Sequence, residues 1–234
     1  MRAVILAGGQ GTRLRPVTLE IPKELIPVQG KPVISWVAEA FARAGTDDIA
    51  VVISPEKHED FRWWQRRWGR RLPIHLFIEP KPLGTLGPLL MLRDFLSGPE
   101  PFFVANGDVL TDTDLGEMRE LHTSHGDPAT IALVEHAEPQ HFGVAVVDGT
   151  RIVTFVEKPT MPPTNLISAG RYLLDPSVLD LFPSTVSFRM IEKELFPQLS
   201  GQGKLHGYAY SGQWHDCGTI ERWQEAIEQW HSRI

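Results

Sequence analysis

A chain of 234 residues with 23 basic and 29 acidic side chains carries a net charge of −6, which argues against bulk nucleic-acid binding while leaving room for a local cationic pocket. At this length roughly 70% of the unfolded surface is buried on folding, and the single cysteine, Cys217, allows no intramolecular disulfide framework. No apolar run approaches the ~18 residues of a membrane span and no signal-peptide pattern opens the chain, so the expectation is a soluble cytoplasmic protein without a membrane partner.

Residues 2–6 (RAVIL) are a short apolar run of the kind buried on both faces of a parallel sheet. Residues 32–44 start at Pro32 and stop before Gly45, the usual order of helix signals. Residues 49–53 (IAVVI) predict a second strand, 57–69 a helix, 74–78 (IHLFI) a third strand, 84–97 a helix and 102–105 (FFVA) a fourth strand. In the 57–69 helix, Phe61, Trp64 and Trp68 share one face and are expected in the core, with the arginines between them on a solvated face. A subunit contact is the next reading of that stretch, and a nucleic-acid clamp the last.

Strand alternating with helix at this spacing predicts a Rossmann-like, doubly wound α/β sheet. Beyond about residue 128 the stretches TIALVE, FGVAVVD, RIVTFVEKP and ISAGRYLLD read as strands between turn signals, so the sheet is expected to be mixed there. A last helix is expected over about 219–232, and one domain over 1–234 is the simplest organisation.

Directly after the first strand stand Gly8, Gly9 and Gly11, then Thr12, Arg13, Arg15 and Lys23. A Walker A loop fails for want of Lys-Ser or Lys-Thr after Gly11, and a dinucleotide fingerprint fails because its third small residue is Leu14. An ordinary tight turn needs one glycine, not three followed by cations. Glycines let backbone N–H groups approach an anion, and arginine offers a fork that matches phosphate oxygens. The loop is therefore expected to hold a polyphosphate at the C-terminal end of its strand.

LAGGQGTRLRPVT followed by IPKELIPVQGKP resembles the signature of the sugar-1-phosphate nucleotidyltransferases, GGxGTRLxPxTxxxPKxLxPxxxKP, over residues 8–32 without a gap. The resemblance implies the nucleotide-diphospho-sugar transferase type of fold. It implies a nucleotide site at Leu6, Ala7, Gly8, Gly9, Gly11 and Thr12, continued by Pro82, Gly84 and Thr85 of the LGTxG-like segment and by Asn106 and Gly107. Without it, Thr85 reads as a helix cap and Asn106-Gly107 as a turn. With it, Asp108 and Asp216, the latter in a WxDxGT-like segment, are the two carboxylates for Mg²⁺, which prefers oxygen ligands. Zinc on the adjacent His215, Asp216 and Cys217 is a poor rival because neighbours in sequence rarely converge on one tetrahedral ion. Asp216 or Thr219 capping the last helix is the plainer reading of that segment.

The segment Val156–Pro159 resembles the family's EKP motif, with Lys158 on the sugar phosphate and Glu157 on sugar hydroxyls. Gly143 would border the sugar. Where many relatives read NAGIY, this chain has Ser168-Ala169-Gly170-Arg171-Tyr172, so Ser168 or Asn165 is expected to face the sugar. The catalytic set implied is Arg13 on the leaving pyrophosphate, Lys23 near the reacting phosphorus and Lys158 on the attacking phosphate.

The stretches EKPTMPPTNLISAGRYLLDPSVLDLFP and IEKELFP are most similar to mannose-1-phosphate guanylyltransferases, which implies GTP and mannose 1-phosphate as substrates. A uridylyl, thymidylyl or heptose-1-phosphate guanylyl enzyme is the alternative within the class. A non-catalytic nucleotide-sugar-binding regulatory subunit is the alternative outside it, disfavoured because Arg13, Lys23, Asp108, Lys158 and Asp216 are all present. No nucleic-acid partner is expected, a homo-oligomer is a possible state, and no C-terminal β-helix domain is expected.

Overall fold

The computed structural model describes residues 1–231. In chain order its elements are β1 (Arg2–Ala7), β2 (Pro27–Val28), β3 (Lys31–Pro32), α1 (Val33–Arg43), β4 (Asp48–Ile53), α2 (His58–Arg67), β5 (Ile74–Ile78), α3 (Gly87–Met91), β6 (Phe102–Asn106), β7 (Val109–Thr111), α4 (Leu115–His125), β8 (Ala129–Glu135), β9 (Gly143–Asp148), β10 (Arg151–Glu157), β11 (Leu166–Leu174), α5 (Phe196–Gly201), β12 (Leu205–Ala209), β13 (Trp214–Asp216) and α6 (Ile220–Gln229). The chain is mixed α/β, as expected. It divides into two compact units, residues 1–82, 105–112 and 213 onward in the first, and 83–104 and 113–212 in the second.

The first unit is built on the parallel strands β5-β4-β1; the apolar runs of β1 and β4 are buried as two-sided strands require, while β5 is the edge strand and Ile78 at its end is 43% exposed. The register pairs Ala7 with Ile53 and Ile53 with Ile78, so β1, β4 and β5 end level at one edge. From β1 the chain runs through short 3₁₀ turns at Thr12–Leu14, Val17–Leu19 and Lys23–Leu25 before reaching β2. These turns rest on a core of Leu14, Ile26, Val28, Val33, Trp36, Leu110, Cys217, Ala226 and Trp230. Each large apolar side chain so buried contributes about 1.5–3 kcal/mol. The Trp36 indole N–H donates to the Val28 carbonyl at 3.1 Å and that of Trp223 to Pro27 at 2.9 Å, which ties α1 and α6 to the β2 segment.

Two expectations need correction here. The helix read over 57–69 ends at Arg67, and Trp68 lies beyond it at φ −116°. Phe61 and Trp64 are fully buried, but Trp68 is only half-buried because the helical spacing no longer carries it inward. The last helix runs over Ile220–Gln229, capped by Thr219, whose hydroxyl accepts from the Arg222 N–H at 3.3 Å. Residue 232 of the expected helix lies outside the described residues.

The second unit is a mixed sheet in the order β11-β8-β12-β10-β9, with β12 parallel to β8 and β11 antiparallel to it. The β11 register shifts between Ser168 and Tyr172, where Gly170 sits at φ 68°, a backbone region that disfavours side chains and marks a bulge. The helix expected over 84–97 is reduced to Gly87–Met91. Beyond it the Leu92 N–H is shared between the Pro88 and Leu89 carbonyls, and Arg93 is drawn to the Leu179 carbonyl at 2.6 Å.

Candidate active site

In the first unit the glycine loop leaves β1 at the shared C-terminal edge. Gly11 adopts φ 62°, a left-handed conformation suited to glycine, and its carbonyl accepts from the Thr18 hydroxyl at 2.7 Å. That bend seats the loop on Lys23, whose Cε lies 3.0 Å from the point a Cβ on Gly9 would occupy. The Lys23 ammonium donates to Asp108 Oδ2 at 2.5 Å and stands 3.6 Å from Glu24 Oε1. Leu6 and Ala7 close β1, and the Leu6 carbonyl accepts from the Gly107 N–H at 3.0 Å, which sets the Asn106-Gly107-Asp108 turn beside the loop.

Asp216 arrives by the β7–β13 ribbon, in which it pairs with Val109. The Cys217 N–H donates to the Asp108 carbonyl at 2.9 Å, so the two acidic segments are hydrogen-bonded to each other. Asp216 Oδ2 accepts from Arg222 at 2.8 Å and is not a helix cap. Asp216 Oδ1 and the guanidinium of the exposed Arg13 lie 2.7 and 3.0 Å from a single point, the Cβ position of Gly218. Gly8, Gly9, Gly11, Arg13, Lys23, Gly107, Asp108 and Asp216 are thus gathered in one unit. Thr12 is exposed on the same loop and Pro82 is exposed at the end of the unit's first segment.

The charges in this cluster set one another. Burial opposes ionisation of Asp108, but the Lys23 charge and hydrogen bond outweigh it and hold its carboxyl below the usual range. Asp216 is pushed up by burial and then by the Asp108 anion, against the pull of Arg222, Lys23 and Arg13. Burial works against the Lys23 ammonium, yet Asp108 and Glu24 raise its pKa overall. A buried and a part-buried carboxylate that repel each other and present only oxygen donors suit a hard divalent cation.

Two acids here were not singled out by sequence. Glu24 is 1% exposed and neither carboxylate oxygen has a hydrogen-bond partner. Burial and Asp108 push it up to about 8, against the pull of Lys23. Glu79, 4% exposed, follows β5 directly, held by its N–H to the Ile53 carbonyl at 2.9 Å. Its Oε1 lies 1.9 Å from the Cβ position of Gly8, so the carboxylate lies directly against the glycine loop. An acid at the C-terminal end of a parallel strand was the available signal.

In the second unit, Gly84 approaches Arg189 so closely that a Cβ would stand 2.3 Å from the Arg189 carbonyl oxygen. Thr85 does not cap α3; its hydroxyl donates to Glu192 at 2.6 Å and accepts from the Ile191 N–H at 2.9 Å. Lys158 is held at φ 49°, with its ammonium 3.4 Å from Glu157 and 62% exposed. Gly143 leaves room for the Glu157 carboxylate, 3.1 Å from its Cβ position. Ser168 donates to the Tyr172 hydroxyl at 3.4 Å. Burial and then the charge of Glu192 raise the Tyr172 phenol, and burial raises the Glu192 carboxyl against its Thr85 bond. Glu157, Lys158, Ser168, Tyr172, Glu192 and Thr85 therefore form one polar patch, to which sequence reading contributed all but Tyr172 and Glu192. Asn165 is exposed and gives its backbone carbonyl to the His136 N–H at 2.9 Å.

A second possible donor set, His125, Asp127 and His206, has ligand atoms within 4.8 Å of one another. The two rings stack at 3.9 Å and 8°, so their in-plane lone pairs run parallel rather than converging. His206 Nε2 lies 2.9 Å from Asp127 and His125 Nε2 lies 2.9 Å from the Thr130 hydroxyl. This is a satisfied hydrogen-bond network.

Residues 2–233 match the nucleotidyl transferase family. The chain is 39% identical over 227 residues to the mannose-1-phosphate guanylyltransferase catalytic subunit beta of Danio rerio. It is 42% identical over 229 residues to mannose-1-phosphate guanylyltransferase 1 of Arabidopsis thaliana. Each alignment covers 93% of this chain and 61% of the relative, so the chain spans about three-fifths of the length of these relatives. Among solved structures it is similar to HddC from Yersinia pseudotuberculosis complexed with GMP-PN, with a TM-score of 0.80 and 25% identity over 97% of this chain and 98% of that one.

Proposed function

The chain belongs to the nucleotidyl transferase family, and we propose that it converts GTP and mannose 1-phosphate into GDP-mannose and pyrophosphate. The observation that carries the reading is the cluster of Arg13, Lys23, Asp108 and Asp216 packed on a glycine loop at the C-terminal edge of parallel strands. An oxygen of the sugar phosphate attacks the α-phosphorus of the nucleotide. The new O–P bond forms as the bond to the β-phosphate oxygen breaks, and pyrophosphate leaves with the electron pair. The attacking oxygen is already an anion at neutral pH, so the work is positioning and charge neutralisation. Lys23 and Arg13 bind and neutralise the nucleotide's phosphates. Lys158 orients the attacking phosphate, and Glu157 and Ser168 take sugar hydroxyls. Mg²⁺ held by Asp108 and Asp216 would neutralise charge on the phosphate oxygens.

Glu79 supports guanine as the base. Guanine offers adjacent N1–H and N2–H donors to a carboxylate, which only accepts, whereas uracil and thymine flank one N–H with two carbonyls that a carboxylate repels. The similarity to guanylyltransferases points the same way. No helix among the described residues is long and apolar enough to cross a membrane, and the proposed setting is the cytoplasm.

The test is pyrophosphate release with Mg²⁺ for GTP, UTP, dTTP, CTP and ATP against mannose, glucose, N-acetylglucosamine and heptose 1-phosphates. Release with GTP and mannose 1-phosphate, abolished by Asp108→Ala, is expected. No release with any pair while GDP-mannose still binds would replace the enzyme with a sensor.

A further inference from the structure

The arginine-rich stretch that the activity leaves unused surrounds a cavity of ≈ 710 Å³ lined by Glu39, Arg67, Trp68, Arg70, Arg71 and Leu72. That size falls within the ~300–1,000 Å³ typical of small-molecule sites. The cavity's charge is uncompensated. Glu39 is already held by Lys31 at 2.8 Å, with Arg43 at 3.9 Å. Among the described residues, no carboxylate lies within 4.0 Å of Arg67, Arg70 or Arg71. Three arginines without a carboxylate partner therefore line one concavity of a chain whose net charge is −6. The wall is also aromatic: Trp68 is half-buried, with the Arg67 guanidinium 5.0 Å from its ring centroid and Leu72 beside it.

Its place sets it apart from the acid cluster. Residues 67–73 lead into the first residue of β5, while Glu79 and the glycine loop stand beyond the last. Five strand residues separate the two edges, about 17 Å.

We propose that this cavity is a second ligand site that takes a nucleoside diphosphate, with its phosphates on Arg67, Arg70 and Arg71 and its base against Trp68 and Leu72. Arginine forks match phosphate oxygens in pairs, and an indole face is the surface on which a base stacks. A single-stranded nucleic acid fits less well. Such ligands need a row of stacking rings along a basic track; Phe61 and Trp64 of the same helix are fully buried, and Trp63, 56% exposed, does not line the cavity.

The test is calorimetric titration of GDP, without divalent cation, into the full chain and into the Arg70→Gln/Arg71→Gln variant. Both positions are exposed, and an unchanged melting temperature verifies the fold. The wild type is expected to bind one more GDP per chain than the variant, or to bind it about 10–100-fold more tightly at that site. The Trp68 indole N–H resonance, assigned with Trp68→Phe, should shift with GDP in the wild type alone. Identical isotherms and an unmoved Trp68 signal would overturn the site. Inorganic phosphate binding as tightly as GDP would overturn the nucleotide class, and an oligonucleotide displacing GDP at lower concentration would assign the surface to nucleic acid.

Discussion

Glu24 gives the sharpest prediction. Its carboxylate is buried beside Lys23 and Asp108 with both oxygens lacking hydrogen bonds, and its pKa is pushed from 4.5 up to about 8. The folded state therefore binds a proton that the unfolded state releases between these two values. Stability falls as pH rises through that window and is level outside it. At pH 7 the cost is about 1.4 kcal/mol for each of the roughly 2.5 units above 4.5, or about 3 kcal/mol. Glu24→Gln keeps the shape and abolishes the titration. With an unfolding entropy of about 0.5 kcal/mol/K for 234 residues, the variant should melt about 6 °C above the wild type at pH 7. At pH 4.5 the advantage should vanish. Calorimetry in EDTA at several pH values between 4.5 and 8.5 measures both ends. Any unsatisfied polar atoms of glutamine cost the same at every pH, so a variant-minus-wild-type difference that does not change with pH would refute the reasoning.

The remaining predictions concern single side chains. Glu79→Gln should swing kcat/KM from GTP toward UTP or dTTP by about 10–100-fold, the scale of a mispaired buried polar contact, and an unchanged ratio would remove Glu79 from base selection. Arg13→Ala should lower kcat by about 10²–10³, as losing one charge-stabilising donor does, and a change confined to KM would rule out a transition-state role. Burial, then His206 and His122, lower His125 from 6.5 to about 4, so stability present above pH 6.5 is lost as pH falls toward 4. Discounted for solvent screening of the half-exposed ring, His125→Gln should recover about 1 kcal/mol at pH 4.5 relative to pH 7, read from urea midpoints; no recovery would place the acid sensitivity elsewhere.

The parallel strands of the first unit were legible because two-sided burial leaves continuous apolar runs, and IAVVI and RAVIL admit few other readings. The glycine loop was legible because its residues are contiguous. Asp108 and Asp216 were not readable from spacing, since each also fits an ordinary turn or cap in the sequence; the ribbon that joins them is a tertiary fact. Glu24 and Glu79 escaped because one acid has no periodicity, and their burial depends on Gly107 and Gly8 packing from elsewhere. Trp68 was misplaced by a single residue of helix length. The segment after Pro88 reads as helix by composition, but Arg93 is satisfied by carbonyls around residues 179–182 instead.

The β7–β13 ribbon bears on the order in which the molecule is made. Asp108 precedes β7 and Asp216 closes β13, nearly half the chain apart, and the larger segment of the second unit, residues 113–212, lies between them. Joining the two acids closes that long loop, an entropic cost that grows only slowly with length. During synthesis the glycine loop, Lys23 and Asp108 all exist long before Asp216 does. The acid pair is complete only when β13 has emerged and paired, so throughout synthesis of the 107 residues between them the first carboxylate stands alone beside Lys23.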